Sequence, residues 1–203
     1  MLSIAVLVSG GGTNLQALLG AEAAGTLVSG KVTLVISNKP GAYALQRAQN
    51  VAVETAVLEK EPGEKAEAYG KRLVALLQAH NVDMVVLAGF LLILAPCVIR
   101  AYEGRIVNVH PSLIPSFCGA GYYGLKVHEE ALRYGVKVTG ATVHLVNEVP
   151  DGGRILAQKA VSIIEGDTPE SLQKRVMEQA EWVLLPQEVE ALAKRLLLST
   201  NLS

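Results

Sequence analysis

Two short stretches hold side chains able to move protons and stabilise charge. In Asn108-Val109-His110-Pro111-Ser112, Asn108 and His110 stand two apart, so on a strand they share one face. An amide N–H₂ can donate to an oxyanion as it forms, and an imidazole can move a proton near neutral pH. The same residues also read as a structural histidine beside a turn-forming asparagine, and the pattern leaves both readings open. Asp151-Gly152-Gly153 is turn chemistry first. It gains a catalytic reading if its loop folds back over the site, where a carboxylate near His110 favours the imidazolium and is expected to raise its pKa.

A third stretch, Ser9-Gly10-Gly11-Gly12-Thr13-Asn14, separates an apolar run from a helical pattern. Its glycines let backbone N–H groups converge on a ligand without Cβ obstruction. A helix N-terminus adds partial positive charge, which suits a phosphate. Thr13 and Asn14 add side-chain donors. The competing reading is a tight turn with Thr13 or Asn14 as helix cap. GxGxxG is absent, because Leu15 stands where the third glycine would fall. Residues 25–31 carry P-loop spacing but follow a helix and precede a strand, with Val32 in place of Ser or Thr, so that motif is rejected. No GxSxG elbow is present. His80, His110, His128, His144 and Cys118 have no metal-ligand spacing, so no metal is expected. His128, on a helix, and His144, on a strand, read as satisfied structural residues.

Apolar periodicity predicts strands at 4–8, 32–36, 51–57, 84–88 and 106–109, alternating with helices at 14–24, 42–49 and 64–80. The run 84–99 reads as a buried strand and then a loop. Pro96 breaks it, and it is shorter than the ~20 residues of a membrane span. Next come a helix at 125–134 and two runs, 137–146 and 154–164, paired antiparallel across a short loop. Pro169 opens a last helix, capped by Asp167 or Thr168, interrupted at Leu184-Leu185-Pro186 and resuming to about Leu198. The fold class is α/β: a doubly wound, mostly parallel, Rossmann-like sheet with an antiparallel pair toward the C-terminal half and helices on both faces. Ligands then belong at the carboxyl ends of the strands, where the three stretches fall.

The 203 residues are expected to form one domain, with a nucleotide-binding half at 1–110 and a catalytic-loop half at 111–203. With 50% hydrophobic and 18% charged residues, the chain is not disordered. A net charge of −1 argues against nucleic acid as partner. Cys97 and Cys118 are too few for a disulfide scaffold, so a cytoplasmic protein is expected. No signal peptide or membrane span is expected.

The glycine-rich stretch, Leu87-Ala88-Gly89-Phe90, the segment from Asn108 to Pro115 and Asp151-Gly152-Gly153 together resemble the phosphoribosylglycinamide formyltransferases, in order over residues 2–187. The Asn-x-His-Pro-Ser-Leu segment with a later Asp-Gly-Gly marks formyl-folate enzymes as a group, and the SGGGTN loop narrows it to these. The resemblance implies formyl transfer from 10-formyltetrahydrofolate, a co-substrate, to the amine of glycinamide ribonucleotide, without metal. It assigns catalysis to Asn108, His110 and Asp151. Ribonucleotide contacts fall on Gly11, Gly12, Thr13 and Asn14, and on Glu178 and Glu181, where the alignment needs one inserted residue. Folate contacts fall on Leu91, Leu92, Ile93, Leu94, Asn108, Asn147, Glu148, Val149, Pro150 and Asp151. Either a monomer or a homodimer is compatible with it.

The chain departs from this pattern at Leu91-Leu92, where many members have Met-Arg. It departs again at Ala66-Glu67-Ala68-Tyr69-Gly70, where many have Arg-Glu-x-Tyr-Asp. Both missing arginines lie near the folate in the family. Formyltetrahydrofolate deformylases, formyltransferases with another amine acceptor, and a non-catalytic nucleotide-binding relative are the competing functional readings.

Overall fold

The computed structural model describes residues 1–200. The chain alternates β1 (Leu2–Val8), α1 (Thr13–Ala23), β2 (Gly30–Ser37), α2 (Tyr43–Gln49), β3 (Glu54–Val57), α3 (Ala66–Ala79), β4 (Met84–Leu87), α4 (Pro96–Ala101) and β5 (Ile106–His110). Then follow α5 (Leu125–Tyr134), β6 (Val138–Leu145), β7 (Ile155–Ser162), α6 (Pro169–Val176), one π-helical turn (Met177–Glu181) and α7 (Trp182–Thr200). The strands form one sheet in the order β3-β2-β1-β4-β5-β6-β7. Pairings are parallel from β3 to β5, and β6 alone runs opposite to both its neighbours.

Strand periodicity divides the core. On β1, Ile4, Val6 and Val8 face a layer built by α1, α2, α6 and α7, whereas Ala5 and Leu7 face α3 and α4. Both faces are covered, which is why these strands are apolar throughout. On β5, Val107 and Val109 join the first layer, so Asn108 and His110 project on the α3–α4 side.

After β3 the chain crosses to β4 on the far side of β1. The loops leaving β1 and β4 therefore diverge, and a crevice opens between their carboxyl ends. Ser9 ties the two sides: its hydroxyl donates to Asn38 Oδ1 at 2.7 Å and accepts from the Leu91 N–H at 2.9 Å.

Two sequence expectations are corrected here. The stretch after β4 is not loop throughout, because Pro96 opens α4. Its missing N–H falls where a helix leaves donors unused anyway. Pro186 does not interrupt the last helix; it lies inside α7. The irregularity comes earlier, at the π turn, where the Trp182 N–H reaches back to the Met177 carbonyl, five residues away. Thr168 is the cap of α6, in a reciprocal box with Ser171.

Candidate active site

Asn108 and His110 end β5 on the same face, and the antiparallel register sets His144 of β6 directly opposite Asn108. The β6–β7 connection then folds back over them. Asp151 adopts a positive φ of 55°, and Gly153 makes the return possible. A Cβ on Gly153 would stand 1.7 Å from the Leu145 carbonyl oxygen. Asn147 holds the loop from within, donating to the Gly152 carbonyl at 3.1 Å and accepting from the Val149 N–H at 3.0 Å.

The result is a cluster around one carboxylate. Asp151 Oδ2 accepts from the Gly119 N–H at 2.8 Å and lies 3.5 Å from His110 Nδ1. Asp151 Oδ1 lies 3.5 Å from both His144 Nε2 and Asn108 Nδ2. Asn108 Nδ2 also lies 3.1 Å from His144 Nε2, and His144 Nδ1 is 2.9 Å from the Leu145 carbonyl. His110 Nε2 donates to the Phe117 carbonyl at 2.8 Å. With Nε2 so engaged, Nδ1 carries a proton toward Asp151 only when the ring is cationic.

Burial sets the electrostatics. It pushes the His110 pKa down, and the Asp151 charge and Phe117 carbonyl only partly push it back. The expected elevation is thus corrected: the net shift is downward, because desolvation outweighs a contact at the outer limit of hydrogen-bond length. Burial would raise the Asp151 carboxyl, but His144, His110 and the Gly119 N–H outweigh it and hold the group below its ordinary value.

These groups close the polar end of a cavity of about 340 Å³. Residues 91–94 and 147–151 line it, with Asn108 and the Gly119–Gly124 loop. Every residue singled out for the folate side is therefore brought together.

The glycine-rich loop stands at the end of β1, outside that cavity's lining. Gly12 is the cap of α1, with φ 72° and no side-chain cap bond, so neither Thr13 nor Asn14 caps the helix. A Cβ on Gly12 would meet Ala44 Cβ at 2.6 Å. The Gly10 carbonyl accepts from the Ala44 N–H at 3.1 Å and the Gly11 carbonyl from Arg47 Nε at 2.8 Å. Gly10 and Gly11 are exposed, with open space beside them. The carbonyls are thus spent on α2, and the uncapped N–H groups of α1 remain for an anion. Asn14 is buried and donates to Glu181 Oε2 at 2.7 Å, leaving its own Oδ1 without a partner.

The π turn sets which glutamate reaches Asn14 beside this loop. It turns Glu181 inward, 6% exposed, with its carboxyl pushed up by burial to about 7. Glu178 is exposed and pairs with Lys174 at 3.9 Å, so the structure does not bring it into the site.

Sequence reasoning missed two histidines. His144 belongs to the cluster around Asp151, and only the β5–β6 register reveals it. His128 is fully buried with neither ring nitrogen hydrogen-bonded, and burial and nearby His110 push its pKa down to about 4. Among the described residues no set of three or more His, Cys, Asp or Glu is placed to hold a metal ion.

A doubly wound sheet carrying this cluster at its carboxyl edge matches one family. The profile of the formyl transferase family covers residues 2–189, and the chain belongs to that family. Within it, the similarity is to phosphoribosylglycinamide formyltransferases. The chain is 38% identical over 178 residues to that of Escherichia coli (strain K12), covering 88% of this chain and 81% of the relative. It is 40% identical over 177 residues to the chloroplastic protein of Arabidopsis thaliana, covering 87% of this chain but 60% of that one's length. The solved glycinamide ribonucleotide transformylase 1 of Symbiobacterium toebii superposes with a TM-score of 0.89 at 38% identity, over 96% of this chain and 89% of that one.

Proposed function

We propose that this chain transfers the formyl group of 10-formyltetrahydrofolate to the amine of glycinamide ribonucleotide, a step of purine biosynthesis. The observation that carries the reading is the convergence of Asn108, His110 and Asp151 at the closed end of a largely apolar cavity. A flat ring system fits walls such as Leu92, Leu94 and Ile99, with polar groups only where the reaction occurs. The phosphate would sit on the α1 N-terminus, with Gly11, Gly12 and Thr13. The ribose hydroxyls would meet Glu181, which Asn14 holds by donating to its carboxyl.

In this reading the amine nitrogen bonds to the formyl carbon, and negative charge grows on the formyl oxygen. Asn108 Nδ2 donates to that oxygen. His110, as imidazolium, stabilises the same charge and gives its proton to N10 as the carbon–N10 bond breaks. Asp151 holds His110 and receives the proton lost by the amine, directly or through water. The products are formylglycinamide ribonucleotide and tetrahydrofolate. The two cysteines are free, which suits a reducing compartment such as the cytoplasm.

The test is a formyl-transfer assay with both substrates and a His110→Ala control. Turnover that needs both substrates and His110 supports the reading. Folate binding without turnover on glycinamide ribonucleotide would redirect it to another formyl acceptor or to deformylation.

A further inference from the structure

The two proposed substrate loops leave the sheet from neighbouring strands, β1 and β4, and diverge. Beyond β1 the chain enters the glycine-rich loop, and beyond β4 it enters residues 91–94, which line the cavity. Ser9 stands between the two, 5% exposed. Its hydroxyl accepts from the Leu91 N–H and donates to Asn38 Oδ1 at the same time, which no apolar side chain could do. Both ends of this tie are themselves fixed. Gly89, with φ 75°, turns the chain just after β4. Ser37, fully buried, holds the turn that presents Asn38, accepting from the Lys39 N–H at 3.0 Å and donating to the Lys39 carbonyl at 2.7 Å. Among the described residues, the Ser9–Leu91 contact is the one hydrogen bond between segments 9–14 and 88–94.

Resting on the function proposed above, we propose that Ser9 is a positioning residue for the transfer step. Its hydroxyl sets the separation of the two loops, and with it the distance from the amine to the formyl carbon, while touching neither substrate. Each substrate keeps its own loop when the tie is cut, so its affinity alone is nearly preserved. The reaction, in contrast, needs the two atoms about 3–3.5 Å apart, and a misplacement of about 1 Å costs on the order of 10²-fold. The tie therefore matters when both substrates are bound.

The experiment measures the single-turnover rate with both substrates saturating, which reports the transfer step rather than product release. The Kd of glycinamide ribonucleotide and that of the dideaza analogue of 10-formyltetrahydrofolate are measured separately, at a temperature where thermal unfolding shows each variant folded. Ser9→Ala is expected to lower the rate by about tenfold or more, while each Kd stays within about threefold. Ser9→Thr keeps the hydroxyl and is expected to hold the rate within about threefold of wild type. Asn38→Ala frees the far end of the tie and is expected to slow transfer in the same sense, whereas Asn38→Asp keeps an acceptor and preserves it. A rate within about twofold of wild type in folded Ser9→Ala, or a loss confined to one Kd, would overturn the inference and leave the proposed activity intact. If Ser9→Ala does not fold, the two Asn38 variants decide by the same criterion. Wild-type protein that binds both ligands and transfers no formyl group would instead remove the functional reading, and this inference with it.

Discussion

Asp151 divides its carboxylate between two histidines, with Oδ2 at 3.5 Å from His110 Nδ1 and Oδ1 at 3.5 Å from His144 Nε2. One half-buried negative charge therefore faces two rings from different strands. Asp151 raises the His110 pKa while burial lowers it further. Asp151→Asn removes the raising influence and keeps the burial. In an NMR titration the wild-type His110 midpoint is expected below 6.5, the ordinary value, and the variant's lower still. A midpoint that stays put or rises in the variant would refute this electrostatic account. Turnover at neutral pH should fall by on the order of 10²-fold or more, because the imidazolium is scarcer and worse oriented.

In the proposed reaction Asn108 offers its N–H₂ group where the oxyanion grows. Asn108→Ala should cost about 3 kcal/mol in the barrier, or on the order of 10²-fold in kcat, with a much smaller change in folate affinity. Steady-state kinetics paired with folate binding checks this. An equal loss in both would make Asn108 a structural residue.

Glu181 carries a carboxyl raised to about 7 by burial, only partly relieved by Asn14. The folded state thus holds a proton that the unfolded state releases near 4.5, and stability falls as pH rises from about 4.5 to about 7. Glu181→Gln keeps the Asn14 contact without the charge. Its thermal midpoint at pH 8 should exceed that of the wild type, by up to about 3 kcal/mol of stability. The KM for glycinamide ribonucleotide should rise roughly tenfold while that for folate does not change.

His128 has the opposite sign. Its pKa near 4 in the fold means that the unfolded chain binds the proton first, so stability is lost as pH falls from about 6.5 toward 4. The full loss amounts to about 3 kcal/mol. In His128→Leu, urea unfolding across this range should show that acid sensitivity diminished. It should also show a gain at neutral pH, since a buried N–H without a partner is removed. An unchanged pH profile would refute the assignment.

Gly12→Ala places a methyl 2.6 Å from Ala44 Cβ at a residue with φ 72°. A loss of about 1–3 kcal/mol is expected, together with weakened ribonucleotide binding. Calorimetry and KM measurements would show both, and a neutral substitution would mean the loop yields freely.

Much of this protein is settled by local sequence. Continuous apolar runs separated by helical patterns determine a parallel sheet covered on both faces, because nothing else buries strands such as Val32–Val35–Ile36 and Met84–Val86. The two-residue spacing of Asn108 and His110 determines a shared face, because strand geometry leaves no other choice. The return of Asp151 was only a possibility in the sequence, since Asp-Gly-Gly is ordinary turn composition; the close approach of Gly153 to Leu145 decided it. His144 looked structural because the partner of a strand residue is set by register, which is non-local. The resemblance points to Glu181 ahead of Glu178, but that it is Glu181 that faces Asn14 is set by the π turn, which no local pattern shows. The sign of the His110 shift escaped the sequence for the same reason. A neighbouring charge can be guessed from motifs, but the depth of burial that outweighs it exists only once the β5 end, the Phe117 carbonyl and the Asp151 loop have closed together.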